Sequence, residues 1–567
     1  MLAKVVVTAA LAALLAAPAA GAQRALLMPG VTYDREVDFT SHGPVAVHVL
    51  RGPRPTGLYA LKPVLSNDAV IGRERVTQMQ KRVSATATVA GVNGDLFNWN
   101  VGYPSGMLML NGVLTSPPNP DRSSTGIAPD GTLRVERVRL AGTWQGSGQR
   151  RPLVLNKEPA PGGVSLYTPT WGPTTPAATE TVELVLQPFP AAQPFRDLAG
   201  VVTQAKEGGA TPIPPDGAIL VGRGPSGAGK LAAEAPLGTT VAVRLILTPD
   251  WSGVVDAIGG GPVLIQAGKP VFRADEGFTL EQLVPRQPRA AVGQTQDGRI
   301  ILATVDGRRP GYSVGMTNFE LALLMMRLGA YTASALDGGG SATMAFDGKL
   351  LNRPSDPTGE RPIAESLNVF YYGVYAPALP EDVVSPNGDG VADKQTLAYK
   401  IVRPSTVRAR LVGPDGSEQV LDERAKATVG TYRFPWAGPG AEGAWRFVVD
   451  VTDDLGRAST AERPFSLNTT LAGLRVQTTT VTRRVPLRAS FTLSRPAQVR
   501  AAILSANGAV VRTLPARSLA AGTHAVTWNG RNAYGSLVHT GRYQARVTAQ
   551  NEVGSVSQTA AFGFRRR

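Results

Sequence analysis

The chain has 567 residues, which is too long for one compact core and suggests three or four domains. A hydrophobic content of 43% with 18% charged residues excludes general disorder, and the absence of cysteine excludes disulfides and thiolate chemistry. The formal net charge is +15, but residues 469–567 alone carry +13, whereas residues 1–380 carry +4 and residues 381–468 carry −2. The excess positive charge therefore belongs to the C-terminal segment.

Residues 1–22 have the parts of a signal peptide. Lys4 supplies a positive charge, residues 5–17 form an apolar core, and residues 20–22 form an A-x-A cleavage site. The alternative, a membrane anchor, is less favoured because the apolar run is shorter than the roughly 20 residues of a span. We expect a mature chain that begins near Gln23 and is secreted or associated with the cell envelope.

Residues 30–376 combine many strand-like runs with two helical patterns. The strand-like runs include residues 87–92, 218–221, 241–247 and 300–305. A short polar helix is predicted over residues 73–82 and an amphipathic helix over residues 317–328, where Gly329 follows as a stop. We predict an α+β catalytic domain over residues 30–376.

One nucleotide-binding pattern in this domain is incomplete. Residues 224–230 fit G-x-x-x-x-G-K, but Leu231 stands where a Ser or Thr would bind magnesium. We predict a surface turn between strands there and no nucleotide site.

The last two hundred residues contain two copies of one repeat, offset by 92 positions. The offset aligns Gly416 with Gly508, Gly430 with Gly522, and Trp436 with Trp528. Short alternating strands separated by Gly, Asn and Asp turns are typical of β-sandwiches. We predict two all-β Ig-like sandwich domains, residues 381–468 and 472–567, each with its tryptophan buried in the core.

Gly-rich polar junctions follow several apolar strands of the first domain. Glycines at strand ends let a substrate approach the backbone and leave N–H groups free for an anion. The junctions are residues 91–97, 104–106, 259–262, 288–293, 305–308 and 335–341.

The content and order of these junctions resemble the phosphodiester glycosidase family. The resemblance spans roughly residues 85–375, and its most specific part is the run Leu-Asp-Gly-Gly-Gly-Ser at residues 336–341. Asp95 and Ala290 depart from the residues most common in the family. The resemblance implies an exported bacterial hydrolase that cleaves the sugar–phosphate bond of glycosyl phosphodiesters, in envelope or extracellular glycans.

Such a reaction needs cationic groups on the phosphodiester and a carboxylate near the anomeric carbon. Phosphate leaves as a stable anion, and arginine can contact its oxygens in bidentate fashion. We predict that Arg289 and Arg308 hold the phosphate, and that Asp337 and Asp306 are the carboxylates nearest the chemistry. The alternatives are a surface ion pair for Arg289 and a turn for Asp306.

Other candidates have equally specific alternatives. Glu320 is a further catalytic candidate, but Thr317 to Glu320 has the pattern of a helix capping box, which is the favoured interpretation. Asn93 and Ser341 either contact substrate or hold loops. The remaining predicted substrate-binding residues are Asp95, Gly338 and Gly339.

No cofactor is certain, but calcium is a candidate. Asn387, Asp389 and Asp393 have the spacing of oxygen ligands in a calcium loop, with Ser385 in place of the first Asp. The alternative is an Asn-Gly and Asp-Gly turn at a domain start.

The last repeat, over about residues 475–563, resembles the Ig-like domain of the flagellar hook-capping protein, which implies an accessory module. We expect its positive charge to bind anionic cell-envelope polymers. The other expected partner is the substrate, a phosphodiester-containing glycan. Nucleic acid is not an expected partner, because export and an aromatic content of 6% argue against it. The alternative function is a non-catalytic surface protein that binds glycans or mediates adhesion.

Overall fold

The computed structural model describes residues 23–271, 275–477 and 480–566. The chain divides into two compact units, with the boundary between Tyr371 and Tyr372. The predicted signal peptide, residues 1–22, lies outside the described residues, and the predicted domain limits stay predictions. Within the described ranges, no helix has both the length and the apolar composition to cross a bilayer.

The α+β class predicted for the catalytic domain is wrong. The chain is about 51% strand and 7% helix, so the architecture is all-β. The predicted amphipathic helix exists over Asn318–Arg327, but the unit contains far more strands than helices. Buried strands such as residues 300–305 are continuous apolar runs, and such runs do not reveal by periodicity how much of a domain is sheet.

The first unit consists mainly of strands, with four α-helices and two 3-10 turns in its described residues. The helices are α1 (Val76–Val83), α2 (Gly224–Glu234), α3 (Leu280–Leu283) and α4 (Asn318–Arg327), and the turns are Ser66–Asp68 and Gly339–Ser341. The strands are β1 (Gln23–Met28), β2 (Val31–Thr40), β3 (Gly43–Gly52), β4 (Tyr59–Leu65), β5 (Thr88–Asn93), β6 (Leu108–Leu110), β7 (Val113–Ser116), β8 (Ser123–Ile127), β9 (Leu133–Arg137), β10 (Arg139–Gln145), β11 (Arg151–Leu155), β12 (Val164–Tyr167), β13 (Thr181–Leu186), β14 (Leu198–Glu207), β15 (Ala218–Arg223), β16 (Thr240–Thr248), β17 (Asp256–Gly259), β18 (Val263–Gln266), β19 (Lys269–Pro270), β20 (Arg289–Gln294), β21 (Ile300–Val305), β22 (Thr332–Leu336), β23 (Met344–Phe346), β24 (Lys349–Leu350) and β25 (Glu365–Tyr371).

An eight-stranded sheet positions the candidate site. Its strand order is β1-β2-β3-β21-β20-β22-β18-β19. The antiparallel register pairs Arg289 with Val305 and Ala290 with Leu336, so β20 begins where β21 and β22 end. Residues just beyond these three strand ends therefore meet at one edge of the sheet.

Two further sheets complete this side of the unit. The sheet β24-β23-β5-β25-β4 pairs Asn93, at the end of β5, with Ser366 of β25. The sheet β7-β6-β17-β8-β9 contributes Gly259 at the end of β17. Both sheets end in loops that carry the Gly-rich junctions of the sequence.

A closed barrel of seven strands, β10-β11-β12-β15-β13-β14-β16, forms a separate part of the unit. Its core includes the fully buried side chains of Trp144 and Trp251. The surface turn predicted for residues 224–230 is wrong, because this segment begins helix α2. Pro225 lies in the first turn, where its missing N–H costs no intrahelical hydrogen bond, and the helix ends before Pro236.

The second unit contains the two repeats as β-structure. Its strands are β26 (Val383–Val384), β27 (Gln395–Ile401), β28 (Ser405–Val412), β29 (Glu418–Ala427), β30 (Gly430–Trp436), β31 (Gly443–Asp453), β32 (Ala458–Leu467), β33 (Leu471–Val476), β34 (Thr480–Thr482), β35 (Leu487–Leu493), β36 (Ala497–Ser505), β37 (Val510–Thr513), β38 (Arg517–Leu519), β39 (Gly522–Trp528), β40 (Gly541–Asn551) and β41 (Gly554–Arg565). In each repeat a small sheet, β27-β30 or β33-β35-β39, accompanies a larger one. Trp436 and Trp528 are buried in the two cores, as predicted.

Candidate active site

A cavity of about 240 Å³ opens at the edge of the eight-stranded sheet. Asp337 follows β22, Arg289 begins β20 and Arg308 follows β21, and all three line the cavity. Arg361 lines it as well. The other lining residues are Leu96, Gly261, Pro262, Phe278, Glu281, Gln282, Gln287, Asn318, Leu336, Gly338, Gly339 and Gly340. The structure thus brings together three of the predicted residues that carry charge and two predicted glycines.

Asp337 is the predicted carboxylate that lines the cavity, and Arg289, Arg308 and Arg361 line it too. Burial raises its pKa from 3.8 to about 6, although a hydrogen bond from Ser341 opposes the shift. The negative charge of Asp95 raises the pKa further, and Arg361 opposes it. A carboxyl group with such a pKa changes its charge near neutral pH, which is a property of catalytic acids and bases.

Arg289 is fixed by backbone carbonyl groups. Its guanidinium donates to the oxygens of Gln282 at 2.7 Å, Pro285 at 2.8 Å and Met316 at 2.9 Å. Burial lowers its pKa to about 10, and the nearby charge of Arg308 contributes to the shift. Arg289 is therefore a rigid positive charge in the cavity wall rather than the surface ion pair considered as the alternative.

Arg308 is the more accessible cation. Its backbone has a φ of +59°, which turns the chain sharply after β21, and its Nε donates to Oε1 of Gln287 at 2.6 Å. A Cβ atom placed on Gly339 would lie 2.9 Å from its Nη2, so the guanidinium lies against the Gly-rich turn. The side chain is well placed to contact an anion in the cavity.

Arg361 was not among the predicted site residues. It forms a bidentate ion pair with Asp356, with Nε–Oδ2 at 2.7 Å and Nη2–Oδ1 at 2.8 Å, and its Nη1 donates to Ser341 at 3.3 Å. A Cβ atom on Gly340 would lie 2.0 Å from its Nη2, so glycine is required for this approach. The glycines of residues 338–340 are the sequence signal that could have indicated a side chain packed directly on this turn.

Asp95 is buried and does not line the cavity. Arg122 donates to both of its oxygens at 2.9 and 3.1 Å, and both side chains are buried. Glu365 accepts the backbone N–H of Asp95 at 2.8 Å. Burial raises the pKa of Asp95. Burial also raises the pKa of Glu365 well above its usual value, and the negative charge of Asp95 adds to that shift.

Asp306 also lies off the cavity wall, in a buried network. One oxygen accepts from Tyr312 at 2.8 Å and lies 3.1 Å from Nε2 of His48. The other oxygen accepts from Asn352 at 2.9 Å, and the backbone N–H of Arg353 donates to both at 3.2 Å. The alternative interpretation of a simple turn does not describe this network, since its partners come from three segments that are distant in sequence.

Asn93 and Ser341 hold loops around Asp337. The side-chain amide of Asn93 donates to the carbonyl oxygen of Asp337 at 2.8 Å and accepts the N–H of Thr343 at 3.1 Å. Gly338 and Gly339 line the cavity beside them. The substrate-binding roles of these four residues stay predictions.

Glu320 caps helix α4, as the favoured interpretation predicted. Its side chain accepts the N–H of Thr317 at 2.9 Å, and its own N–H donates to Oγ1 of Thr317 at 3.1 Å. It also forms an ion pair with Arg286. Glu320 does not line the cavity, so its carboxylate serves the helix start.

The candidate calcium loop is closed by hydrogen bonds to its own backbone. Asp393 accepts the N–H groups of Gly388 and Gly390, each at 2.7 Å. The side chain of Asn387 accepts the backbone N–H of Asp389, and the side chain of Asp389 accepts the backbone N–H of Val391. Among the described residues, no group of three or more His, Cys, Asp or Glu side chains is arranged to hold a metal ion. Calcium binding here stays a prediction.

Residues 197–370, which include most of this cavity, match the family model of phosphodiester glycosidases. Residues 477–552 match the family model of the FlgD Ig-like domain. Both resemblances predicted from the sequence are therefore confirmed.

Particular relatives match short parts of the chain. The SPbeta prophage-derived uncharacterized protein YomE of Bacillus subtilis is 35% identical over 119 residues, which is 21% of this chain and 18% of YomE. N-acetylglucosamine-1-phosphodiester alpha-N-acetylglucosaminidase of Bos taurus is 32% identical over 108 residues, 18% of this chain and 20% of that enzyme. The chain therefore spans a fifth or less of these curated relatives.

A solved structure matches over a larger share. The crystal structure of a hypothetical protein from Synechocystis superposes with a TM-score of 0.53 at 26% identity. The match covers 62% of this chain and 64% of that protein.

Proposed function

We propose that the chain is a hydrolase that cleaves the sugar–phosphate bond of glycosyl phosphodiesters. The observation that carries the proposal is one cavity in which Asp337 lies among Arg289, Arg308 and Arg361. An anionic substrate requires the arginines, and glycosyl transfer requires a carboxylate. The family match over residues 197–370 supports the same class of activity.

The arginines have different tasks in this proposal. Arg308 contacts the phosphate oxygens directly, because its terminal nitrogens lie against the Gly-rich turn of the cavity. Arg289 supplies a fixed positive charge from the wall, since backbone carbonyls hold its guanidinium. Arg361 orients the Gly-rich turn through Ser341. Together they stabilise the negative charge that grows on the departing phosphate.

Asp337 acts on the sugar side of the bond. Positive charge develops on the sugar ring as the bond to phosphate lengthens, and an ionised carboxylate stabilises it. Water adds to the sugar carbon and gives up a proton to solvent, while the phosphate group leaves as an anion and needs little proton transfer from an acid. The ionised form of Asp337 is therefore the active form.

Asp306 and Asp95 support the site without lining the cavity. Asp306 comes directly before the turn that carries Arg308. Its carboxylate accepts hydrogen bonds from the side chain of Asn352 and the backbone of Arg353, which anchors the start of that turn. Asp95 is neutralised by Arg122, so its charge is balanced inside the fold. In this proposal both are positioning residues, and Asp337 is the catalytic carboxylate.

The pH dependence tests the role of Asp337. Its pKa is raised to about 6, so the ionised fraction grows as pH rises through that value. We expect kcat/KM to rise with pH up to about 6 and to level off above it. Initial rates of sugar release from an N-acetylglucosamine phosphodiester between pH 4 and pH 8 measure this. A rate that falls above pH 6 would make Asp337 a general acid and would contradict the assignment.

We propose further that the hydrolase is exported and binds anionic envelope polymers through its last module. This part of the proposal is supported by the signal-peptide pattern of residues 1–22 and by the charge of +13 in residues 469–567. Arg500 of β36 and Arg546 of β40 are exposed on neighbouring paired strands. Clustered cations of this kind attract polyanions, and salt screens the attraction.

Retention on immobilised polyphosphate tests this surface. The full chain is expected to bind at low ionic strength and to elute as salt rises. The double variant Arg500→Gln/Arg546→Gln should elute at lower salt, whereas Arg244→Gln in the first unit should not shift the elution. Equal elution of the two variants would exclude this face as the binding surface.

A further inference from the structure

Five exposed apolar side chains lie on the two helices that contribute to the cavity wall, or, for Val284, directly after one of them. We call these five residues the apolar rim. Their exposed fractions are 76% for Leu280, 59% for Val284, 57% for Phe319, 38% for Leu323 and 42% for Met326. Apolar groups concentrated in this way at a functional opening indicate an interaction surface.

Each helix carries both a cavity residue and a rim residue. Glu281 and Gln282 of α3 line the cavity, and the rim residue Leu280 comes directly before them. Asn318, the first residue of α4, lines the cavity, and the rim residue Phe319 follows it. The rim and the cavity wall therefore share both helices.

The buried guanidinium of Arg289 links the segment around α3 to the segment directly before α4. It donates to the carbonyl oxygens of Gln282 and Pro285 on one side and of Met316 on the other. The backbones of Gln287 and Met316 also pair, with N–O distances of 3.0 and 3.1 Å. The rim is thus formed in advance and adjoins the charged wall of the cavity.

Helix α4 presents two apolar faces. Leu321, Leu324 and Met325 are buried in the core beneath the sheet. Phe319, Leu323 and Met326 recur at i, i+4 and i+7 on the exposed side. A surface helix normally has polar residues on that side, so this face is suited to an apolar partner.

We infer that the apolar rim binds the hydrocarbon chain of a lipid attached to the phosphate of the substrate, so that the substrate class is a lipid-linked glycosyl phosphodiester. The inference rests on the proposed function. The phosphate would lie at Arg308 and Arg289 inside the cavity, and a chain leaving the phosphate on the side of α3 and α4 would meet the rim. Each methylene removed from water there adds to affinity.

Two soluble probes with the same sugar and phosphate test the inference. One is the methyl diester and the other the decyl diester of N-acetylglucosamine 1-phosphate, used below the concentration at which the decyl ester forms micelles. We expect the full chain to have a KM at least tenfold lower for the decyl ester. In the variant Leu280→Ser/Phe319→Ser this difference should disappear, because KM for the decyl ester rises while KM for the methyl ester stays the same.

Matched controls separate the rim from surface apolarity in general. The variant Leu237→Ser/Phe39→Ser replaces a leucine and a phenylalanine that are 66% and 80% exposed elsewhere in the first unit, and it should keep the decyl preference. Thermal unfolding of each variant checks that the fold is kept. If the rim variant loses activity toward both esters equally, or if it unfolds, these residues have a structural role and the inference is overturned.

The remaining outcomes are also distinct. Cleavage of both esters with equal KM by the unaltered chain overturns the inference and leaves the proposed function standing. Cleavage of neither ester overturns both. If sedimentation shows that the unaltered chain is a dimer and that the rim variant is a monomer, the rim is an interface between two copies, and the inference is wrong.

Discussion

Replacement of Asp337 by asparagine is expected to lower kcat/KM for a glycosyl phosphodiester by roughly 10³-fold or more. The amide keeps the size of the side chain but cannot carry the negative charge that stabilises the sugar ring. Release of the phosphomonoester at pH 7 measures the effect. Asp197→Asn is the matched control, because Asp197 is an exposed carboxylate paired with Arg244 away from the cavity. Full activity of Asp337→Asn would exclude Asp337 as the catalytic carboxylate.

The same substitution should stabilise the fold at high pH. Because burial raises the pKa of Asp337 above 3.8, its ionisation costs stability as pH rises through about 6. Asparagine does not ionise, so the variant should be more stable than the parent at pH 8 by at most about 3 kcal/mol. The difference should vanish below about pH 4. Thermal melts at both values test this, and a less stable variant at pH 8 would contradict the stated environment of Asp337.

The second large effect is expected for Arg308→Gln. Glutamine keeps a polar side chain but removes the positive charge and the fork of N–H donors, so kcat/KM should fall by about 10²- to 10³-fold. Arg308→Lys keeps the charge without the bidentate geometry, so its kcat/KM should lie between those of the parent and of Arg308→Gln. Steady-state rates with a single phosphodiester substrate measure the series.

Arg244→Gln is the matched control for the arginine series. Arg244 is an exposed arginine of the barrel and pairs with Asp197, and exposed pairs of this kind contribute about 0–1 kcal/mol to stability. Its activity should equal that of the parent. If Arg308→Gln retains activity as this control does, the phosphate does not bind at Arg308.

Local patterns predicted local structure well. The strand Ile300–Val305 has the predicted limits, and the capping box of Thr317 and Glu320 is confirmed. The tryptophan offset of 92 positions predicted two buried side chains in two similar cores. In each case the residues that determine the structure are neighbours in sequence or copies of one repeat.

Contacts between distant segments could not be predicted in this way. Asp306 looked like a turn residue or a catalytic residue, but its partner His48 lies 258 positions away. The position of Arg361 depends on the backbone at Gly340, which allows a guanidinium to approach without a Cβ in the way. The predicted α+β class of the first domain was wrong for a related reason. Buried strands pair with strands that are distant in sequence, and their apolar runs cannot be told from buried helix segments by periodicity.

The position of bond cleavage tests the central claim most directly. The full chain is incubated with an N-acetylglucosamine phosphodiester in ¹⁸O-labelled water, and the phosphomonoester product is analysed by mass spectrometry. Cleavage between the sugar carbon and the bridging oxygen gives free sugar and an unlabelled phosphomonoester, which is the result we predict. ¹⁸O in the phosphate group would show attack at phosphorus, and the chain would then be a phosphodiesterase rather than a glycosidase.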